Sequence, residues 1–287
     1  MVPVTFLYDW EYPSDKDRQT VMYEFAANGA KHLVLTDTML QMIGRYPRLY
    51  RELRQEAEKA GLDFVDSHAP FAHDLDLCVP IPEVRPYMLA HLKYILHIVS
   101  DFGVKTCCVH TINKDYPGYT LEQLRDAICA SLDEILPLAE KLDVTICIEN
   151  LTRPGTNVED EIYYIEKYAS PYLGACFDAG HANIMEKGMN TPDCFVFNRW
   201  PERKPTWEKN VLDRMLPYIV NCHLHDNHGF SDEHILPGKG NVDWKTLVPK
   251  LLSAPRLKCI QSEVIPLYAQ QPIRPLCDKF RELFGAI

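Results

Sequence analysis

Short apolar runs that end in polar residues alternate with longer amphipathic stretches along this chain, and the alternation repeats eight times. Val4 to Tyr8, His32 to Leu35, Leu62 to Val65 and Thr106 to Val109 read as buried strands, and Val144 to Ile148, Tyr172 to Phe177, Tyr218 to Val220 and Leu257 to Ser262 continue the series. Between them the pattern predicts helices over Lys16 to Lys31, Met39 to Lys59 and Pro82 to Phe102, one opening at Thr120, and others over Val158 to Tyr168, Trp244 to Leu252 and Pro275 to Phe284. Gly61 and Gly103 stop two of these, and Thr120-Leu121-Glu122-Gln123 opens another with capping-box spacing. Parallel strands need covering helices and right-handed crossovers, so the expected fold is α/β, a (β/α)8 TIM barrel forming a single domain over residues 1–287. A doubly wound open sheet is the alternative, and no dinucleotide-type glycine fingerprint follows the first strand to support it.

The residues closing the eight strands are all polar: Asp9, Asp37, His68, His110, Glu149, Asp178 with His181 three residues on, His223 and Glu263. In a barrel the carboxyl ends of all strands meet on one face, so these residues converge although they are far apart in sequence. Any one of them alone reads as a hydrogen-bonded core histidine, a helix-terminus carboxylate or turn chemistry. Ligand types at six consecutive strand ends read as a metal site. Glu149, Asp178, His223 and Glu263 make a set of three carboxylates and one imidazole that suits manganese, cobalt, zinc or magnesium with positions open to substrate. Alternation along each strand puts Cys147 below Glu149, Cys176 below Asp178, Cys108 below His110, Asn221 below His223 and Gln261 below Glu263. That small or neutral layer leaves room for an ion above it and argues against the cysteines as ligands. His225, Asp226 and His228 follow in a stretch that also reads as a solvated loop, with His228 standing equally on either side. The connection from Met189 to Pro205, with Phe195, Phe197 and Trp200, reads as a loop over a pocket, with Trp200 expected against substrate.

A hydrophobic fraction of 46% supplies a sizeable core, while a net charge of −10 argues against nucleic acid as a partner and for a small polar substrate. No apolar run approaches the roughly 18 residues of a membrane span, and the start has no basic segment followed by an apolar one. A soluble, cytoplasmic protein, possible as a homo-oligomer, is the expectation. The ten cysteines show no Cys-x-x-Cys spacing, and six sit in predicted strands, so they read as reduced core thiols.

Glu149-Asn150 after an apolar strand, Asp178-x-x-His181, His223-Leu224-x-Asp226, Asp232-x-His234 before Pro237-Gly238-Lys239-Gly240, Asp243-Trp244 and Glu263 together resemble the xylose-isomerase-like barrel superfamily. That superfamily holds sugar and sugar-phosphate isomerases and epimerases, and endonuclease IV. The resemblance implies a divalent metal on Glu149, Asp178, His223 and Glu263. It implies that Glu149 and Glu263 also act as acid and base on a sugar or sugar phosphate, through an enediolate, and that His181 touches substrate oxygens. His68 and His110 line the same predicted face, and Lys239, Lys114 and Arg153 are the cations nearest it, able to meet a phosphate or carboxylate. Residues 227 to 236 contain no arginine, unlike the ketose epimerases. His68, His110, His181, Asp232 and His234 also match the additional zinc ligands of endonuclease IV, so Asp232 and His234 are candidates for further metal and a zinc phosphodiesterase is the rival reading. An inosose dehydratase-type lyase would use the same enolate chemistry.

Overall fold

The computed structural model describes residues 2–72, 75–113, 116–189, 191, 194, 196 and 206–285. Eight strands, β1 (Val4–Phe6), β2 (His32–Leu35), β3 (Asp63–Ser67), β4 (Thr106–Val109), β5 (Thr145–Glu149), β6 (Leu173–Asp178), β7 (Ile219–Leu224) and β8 (Ile260–Ser262), form one parallel sheet. They run in the order β3-β2-β1-β8-β7-β6-β5-β4, and the two ends meet through a parallel bridge between His68 and Cys108, where the Ala69 amide donates to the Cys108 carbonyl at 2.9 Å. The expected (β/α)8 barrel is the fold.

Strands β4 to β8 are buried throughout, as apolar runs covered on both faces require. Helices α1 (Asp15–Ala27), α2 (Asp37–Arg45), α3 (Leu49–Ala60), α4 (Arg85–Asp101), α5 (Leu121–Leu142), α6 (Val158–Tyr168), α7 (Ala179–Lys187), α8 (Val211–Met215), α9 (Trp244–Leu251) and α10 (Ile273–Phe284) connect them. The single helix expected from Met39 to Lys59 is two. Pro47 disfavours helical backbone at Tyr46, which sits at φ −130° and ψ 84°, and α3 restarts beyond it. The capping box at Thr120 forms as its spacing predicts, with the Thr120 hydroxyl accepting from the Gln123 amide at 3.2 Å.

Inside the barrel, Cys108, Cys147, Cys176 and Val220 form a small apolar layer. Gly174 stands beside it because a Cβ there would overlap the Val220 side chain. Asp66 is fully buried nearby and accepts from the Thr106 hydroxyl at 2.6 Å and the Asn221 amide at 3.0 Å. All ten cysteines are free and buried, as thiols filling a core. Among the described residues no helix is long and apolar enough to cross a membrane.

Candidate metal centre

The register brings the strand ends together. Glu149 pairs across with Cys176, and Asp178 with His223, which in turn faces Gln261, so the side chains at the β5 to β8 tips share one basin. Donor atoms of Glu149, Asp178, His223 and Glu263 all lie within 4.8 Å of one another, as four ligands of one ion must. His223 Nδ1 stands 3.4 Å from Glu149 Oε2 and 3.1 Å from Glu263 Oε1. Asp178 caps α7 by accepting the His181 amide at 2.6 Å on Oδ1, which leaves Oδ2 toward the basin, 3.3 Å from His225 Nε2.

The other histidines are oriented for coordination. His68 Nδ1 donates to the Ala69 carbonyl at 2.8 Å, His181 Nδ1 to the Asn150 carbonyl at 3.1 Å, and His234 Nδ1 to the Glu263 carbonyl at 2.9 Å. A carbonyl can only accept, so each bond fixes the proton on Nδ1 and leaves Nε2 as a lone pair whenever the ring is neutral. His181 Nε2 and His234 Nε2 then meet the same oxygen, Asp232 Oδ2, at 3.3 and 3.2 Å. His110 Nε2 lies 3.2 Å from Glu149 Oε2.

The buried charges explain one another. Burial pushes the Glu149 carboxyl up, but His223 and hydrogen bonds from His110 and His181 outweigh it and hold the group well below the carboxylate range. Asp178 is buried as well, yet His181 and His225 draw it down to about 2. Glu263 goes the other way: burial raises it to about 8, with the charges of Glu149 and Asp178 adding to the rise against the pull of His223. His234 is lifted to about 10 because Asp232 outweighs its desolvation. Imidazolium protons can do in this basin the neutralising that a cation would do.

Several buried donors have no other use. Neither ring nitrogen of His223 or His225 makes a hydrogen bond, nor do Asp178 Oδ2 and Asp232 Oδ1. Orphaned atoms of this kind cost free energy unless a ligand satisfies them, so the residues present fit a divalent ion.

Two neighbours of the predicted set belong to the site although sequence left them open. His225 is fully buried, its imidazole stacked 4.1 Å from that of His234, and a Cβ at Gly180 would overlap its ring. Asp226 is equally buried and accepts four hydrogen bonds: from the Asn227 and Val242 amides on Oδ1 at 2.9 and 3.1 Å, and from the Gly238 amide and Trp244 Nε1 on Oδ2 at 2.7 and 2.9 Å. It ties down both ends of the loop that carries Asp232 and His234. His228 is the solvated one of the three, exposed and paired with Glu233. Cys108, placed by parity beneath the site, reaches it: its thiol donates to Glu149 Oε2 at 3.2 Å.

Above the basin opens a cavity of about 380 Å³. His68, His110, His181, His234 and Asp232 line it together with Glu149 and Glu263, and Arg153 is the one lysine or arginine among the described lining residues. Asp9, Glu11 and Asp37 border it on the β1 and β2 side. Lys239 is not brought there; it is exposed on a turn whose Gly238 amide is held from within by Asp226. Lys114, Phe195, Phe197 and Trp200 lie outside the described residues.

The model of the xylose isomerase-like TIM barrel family matches residues 22–255. The chain belongs to that family. A curated relative, the uncharacterized protein MJ1311 of Methanocaldococcus jannaschii, is 28% identical over 195 residues, 64% of this chain and 58% of that one. A protein named probable endonuclease 4, from Mycoplasmopsis pulmonis, is 25% identical over 185 residues, 56% of this chain and 63% of its own length. The chain thus spans between half and two thirds of the length of the curated relatives it matches first. Solved structures align throughout: D-allulose 3-epimerase from Methylomonas sp. in complex with D-allulose has a TM-score of 0.74 at 14% identity, over 99% of this chain and 96% of that one. The IOLI protein with a binding zinc atom has a TM-score of 0.69 at 13% identity, over 99% and 96%. At such identities these likenesses show the barrel fold alone and leave the chemistry to its residues.

Proposed function

We propose that this xylose isomerase-like barrel is a divalent-metal-dependent sugar or sugar-phosphate isomerase or epimerase that works by proton transfer. The observation that carries the reading is the pair Glu149 and Glu263, which bracket His223 Nδ1 at the floor of the cavity and share its ion position with Asp178. An ion held by Glu149, Asp178, His223 and Glu263 would polarise a carbonyl and its neighbouring hydroxyl and offset the negative charge of an enediolate. Glu263, pushed up to about 8 by burial before any ion binds, sits where a group can take and return a carbon-bound proton near neutral pH, while Glu149 is held ionised across from it. His181, its Nδ1 held by the Asn150 carbonyl and its Nε2 3.3 Å from Asp232, lines the cavity where a substrate oxygen would compete with Asp232 for Nε2. Arg153 faces the same space and suits a phosphate or carboxylate substituent, and Asp9, Glu11 and Asp37 suit hydroxyls at the other end. A screen of ketoses, aldoses, inososes and ketose phosphates for solvent-deuterium wash-in, with manganese, cobalt, magnesium or zinc supplied, tests this. Absence of exchange with every substrate and ion would remove the reading.

A specific observation favours a second reading. His68, His110, His181, Asp232 and His234 converge on the same cavity, more donors than one ion needs, and a relative bears the name probable endonuclease 4. A multi-zinc phosphodiesterase uses such a set. The three carboxylates at the cavity border and the net charge of −10 disfavour a polyanionic substrate. Hydrolysis of a DNA duplex or of bis-p-nitrophenyl phosphate without deuterium exchange would decide for this alternative.

A further inference from the structure

We propose that Cys108 is a thiolate ligand to a metal ion, held with His68, Glu149 and His223 in a second position one side-chain layer deeper in the barrel than the carboxylate-rich one. This rests on the metal-centred reading of the basin and adds to it a soft donor that selects zinc or cobalt over manganese or magnesium.

Four side chains crowd one oxygen. Around Glu149 Oε2 stand the Cys108 sulfur at 3.2 Å, His110 Nε2 at 3.2 Å, His223 Nδ1 at 3.4 Å and His68 Nε2 at 3.6 Å. Single donor atoms of His68, Cys108, Glu149 and His223 all lie within 4.8 Å of one another, and every one of these residues is buried. Ligand atoms about 2.0 to 2.3 Å from a tetrahedral zinc stand roughly 3.5 Å apart, so the group closes on an ion with small rotations.

The sulfur is not an isolated thiol in a core. His68 has its Nδ1 proton committed to the Ala69 carbonyl and offers Nε2 inward, and both nitrogens of the wholly buried His223 lack hydrogen bonds. Cys147, in the same interior layer, instead directs its thiol to the Thr145 carbonyl at 3.6 Å. Among the described residues, the groups able to gather on an ion include Cys108 and neither Cys147 nor Cys176. Glu149 turns Oε2 toward Cys108 and leaves Oε1 on the other side, 3.2 Å from His181 Nδ1. When the ion binds, the sulfur–hydrogen bond is replaced by a sulfur–metal bond and the proton leaves to solvent. Thiolate is a poor ligand for magnesium and manganese and a strong one for zinc and cobalt.

Cobalt(II) titration of the purified chain reads this directly. Expected are the visible ligand-field bands of bound cobalt together with an intense thiolate-to-cobalt charge-transfer band in the near ultraviolet. Cys108→Ser loses the charge-transfer band and keeps ligand-field absorption, whereas Cys147→Ser keeps both. Zinc X-ray absorption on the unmodified protein, with a sulfur scatterer expected at about 2.3 Å, decides the matter should Cys108→Ser not fold. Ligand-field bands without charge transfer, or a charge-transfer band that survives Cys108→Ser, would overturn the thiolate proposal and leave the carboxylate site standing. A protein that binds no cobalt at all would overturn both.

Discussion

Asp226→Asn offers the sharpest test of how the basin is held in shape. The carboxylate accepts two donors on each oxygen: Asn227 and Val242 amides on one, the Gly238 amide and Trp244 Nε1 on the other. An asparagine has one acceptor oxygen, so whichever way its amide turns, two buried N–H groups lose their partner and face a donor instead. Each unsatisfied buried donor costs about 1–3 kcal/mol, so the change should destabilise by roughly 4 kcal/mol. For a domain of this size that lowers the midpoint of thermal unfolding by about 8–16 °C. The same loop carries Asp232 and His234, and its start is pinned by reciprocal backbone bonds between Asp226 and Ile235 at 2.8 and 3.1 Å. Metal retention after gel filtration should therefore fall with stability. Calorimetry together with metal analysis makes the measurement. A midpoint within about 3 °C of the unmodified protein, with metal content unchanged, would refute the claim that Asp226 anchors the site.

Four further outcomes follow from the geometry. Glu263→Gln should abolish deuterium wash-in while the metal-free protein unfolds within about 2 °C of the parent, because burial already keeps this carboxyl protonated near neutrality; retained exchange would remove Glu263 as the base. Gly180→Ala should cost about 1–3 kcal/mol, because the new methyl group overlaps the His225 imidazole, which cannot withdraw from a fully buried site; an unchanged denaturant midpoint would show that the ring has room. The metal-free protein should lose stability from about pH 4.5 to about 10, most steeply between about 6.5 and 8 where the two groups overlap. Both His234, at about 10, and Glu263, at about 8, have folded values above their ordinary ones, so each contributes fully below its unfolded value and loses that contribution as pH rises through the folded one. Metal affinity should climb over the same range, since each ion displaces protons from the imidazoles, and a flat or falling affinity by calorimetric titration would contradict the shared site.

The barrel was legible because buried parallel strands have no polar face to blur their boundaries, and because Gly61 and Thr120 mark helix ends by local chemistry. The clustering of the candidate ligands was legible for a related reason: the first charged residue after the apolar run closes β5 and β6, and in β7 and β8 it stands one residue from the strand end. Where the run and the ligand overlap, the pattern fails. His225 and Asp226 follow His223-Leu224 without a break and look like the start of a solvated loop, yet both are fully buried. Their signal was parity, since His223 and His225 share a face, and it was outweighed by the run of polar residues around them. Parity did place Cys108 inward but ranked it below the site; that a thiol one layer down reaches the Glu149 carboxylate depends on side-chain length and strand stagger, which sequence does not carry. Cavity residues such as Phe71 and Asn113 come from loops with no period to read. Lys239 was attractive as a cation near a glycine turn, but the turn is gripped by its backbone and the side chain is left in solvent.

The surplus of ligand types has a physical use even before an ion is considered. Four carboxylates (Glu149, Asp178, Asp232 and Glu263) share this basin with six imidazoles, and burial there would expel uncompensated charge. Protonated histidines stabilise the ionised carboxylates in the metal-free molecule, and the one carboxyl left without enough of them, Glu263, keeps its proton instead. These residues would hold an ion whose charge would take over from those protons, and three of the histidines are already oriented for it by backbone carbonyls. Under the proposed function, metal binding and carbon-acid chemistry would draw on the same reserve, since Glu263, which keeps its proton for want of positive charge, is the group proposed to give and take one.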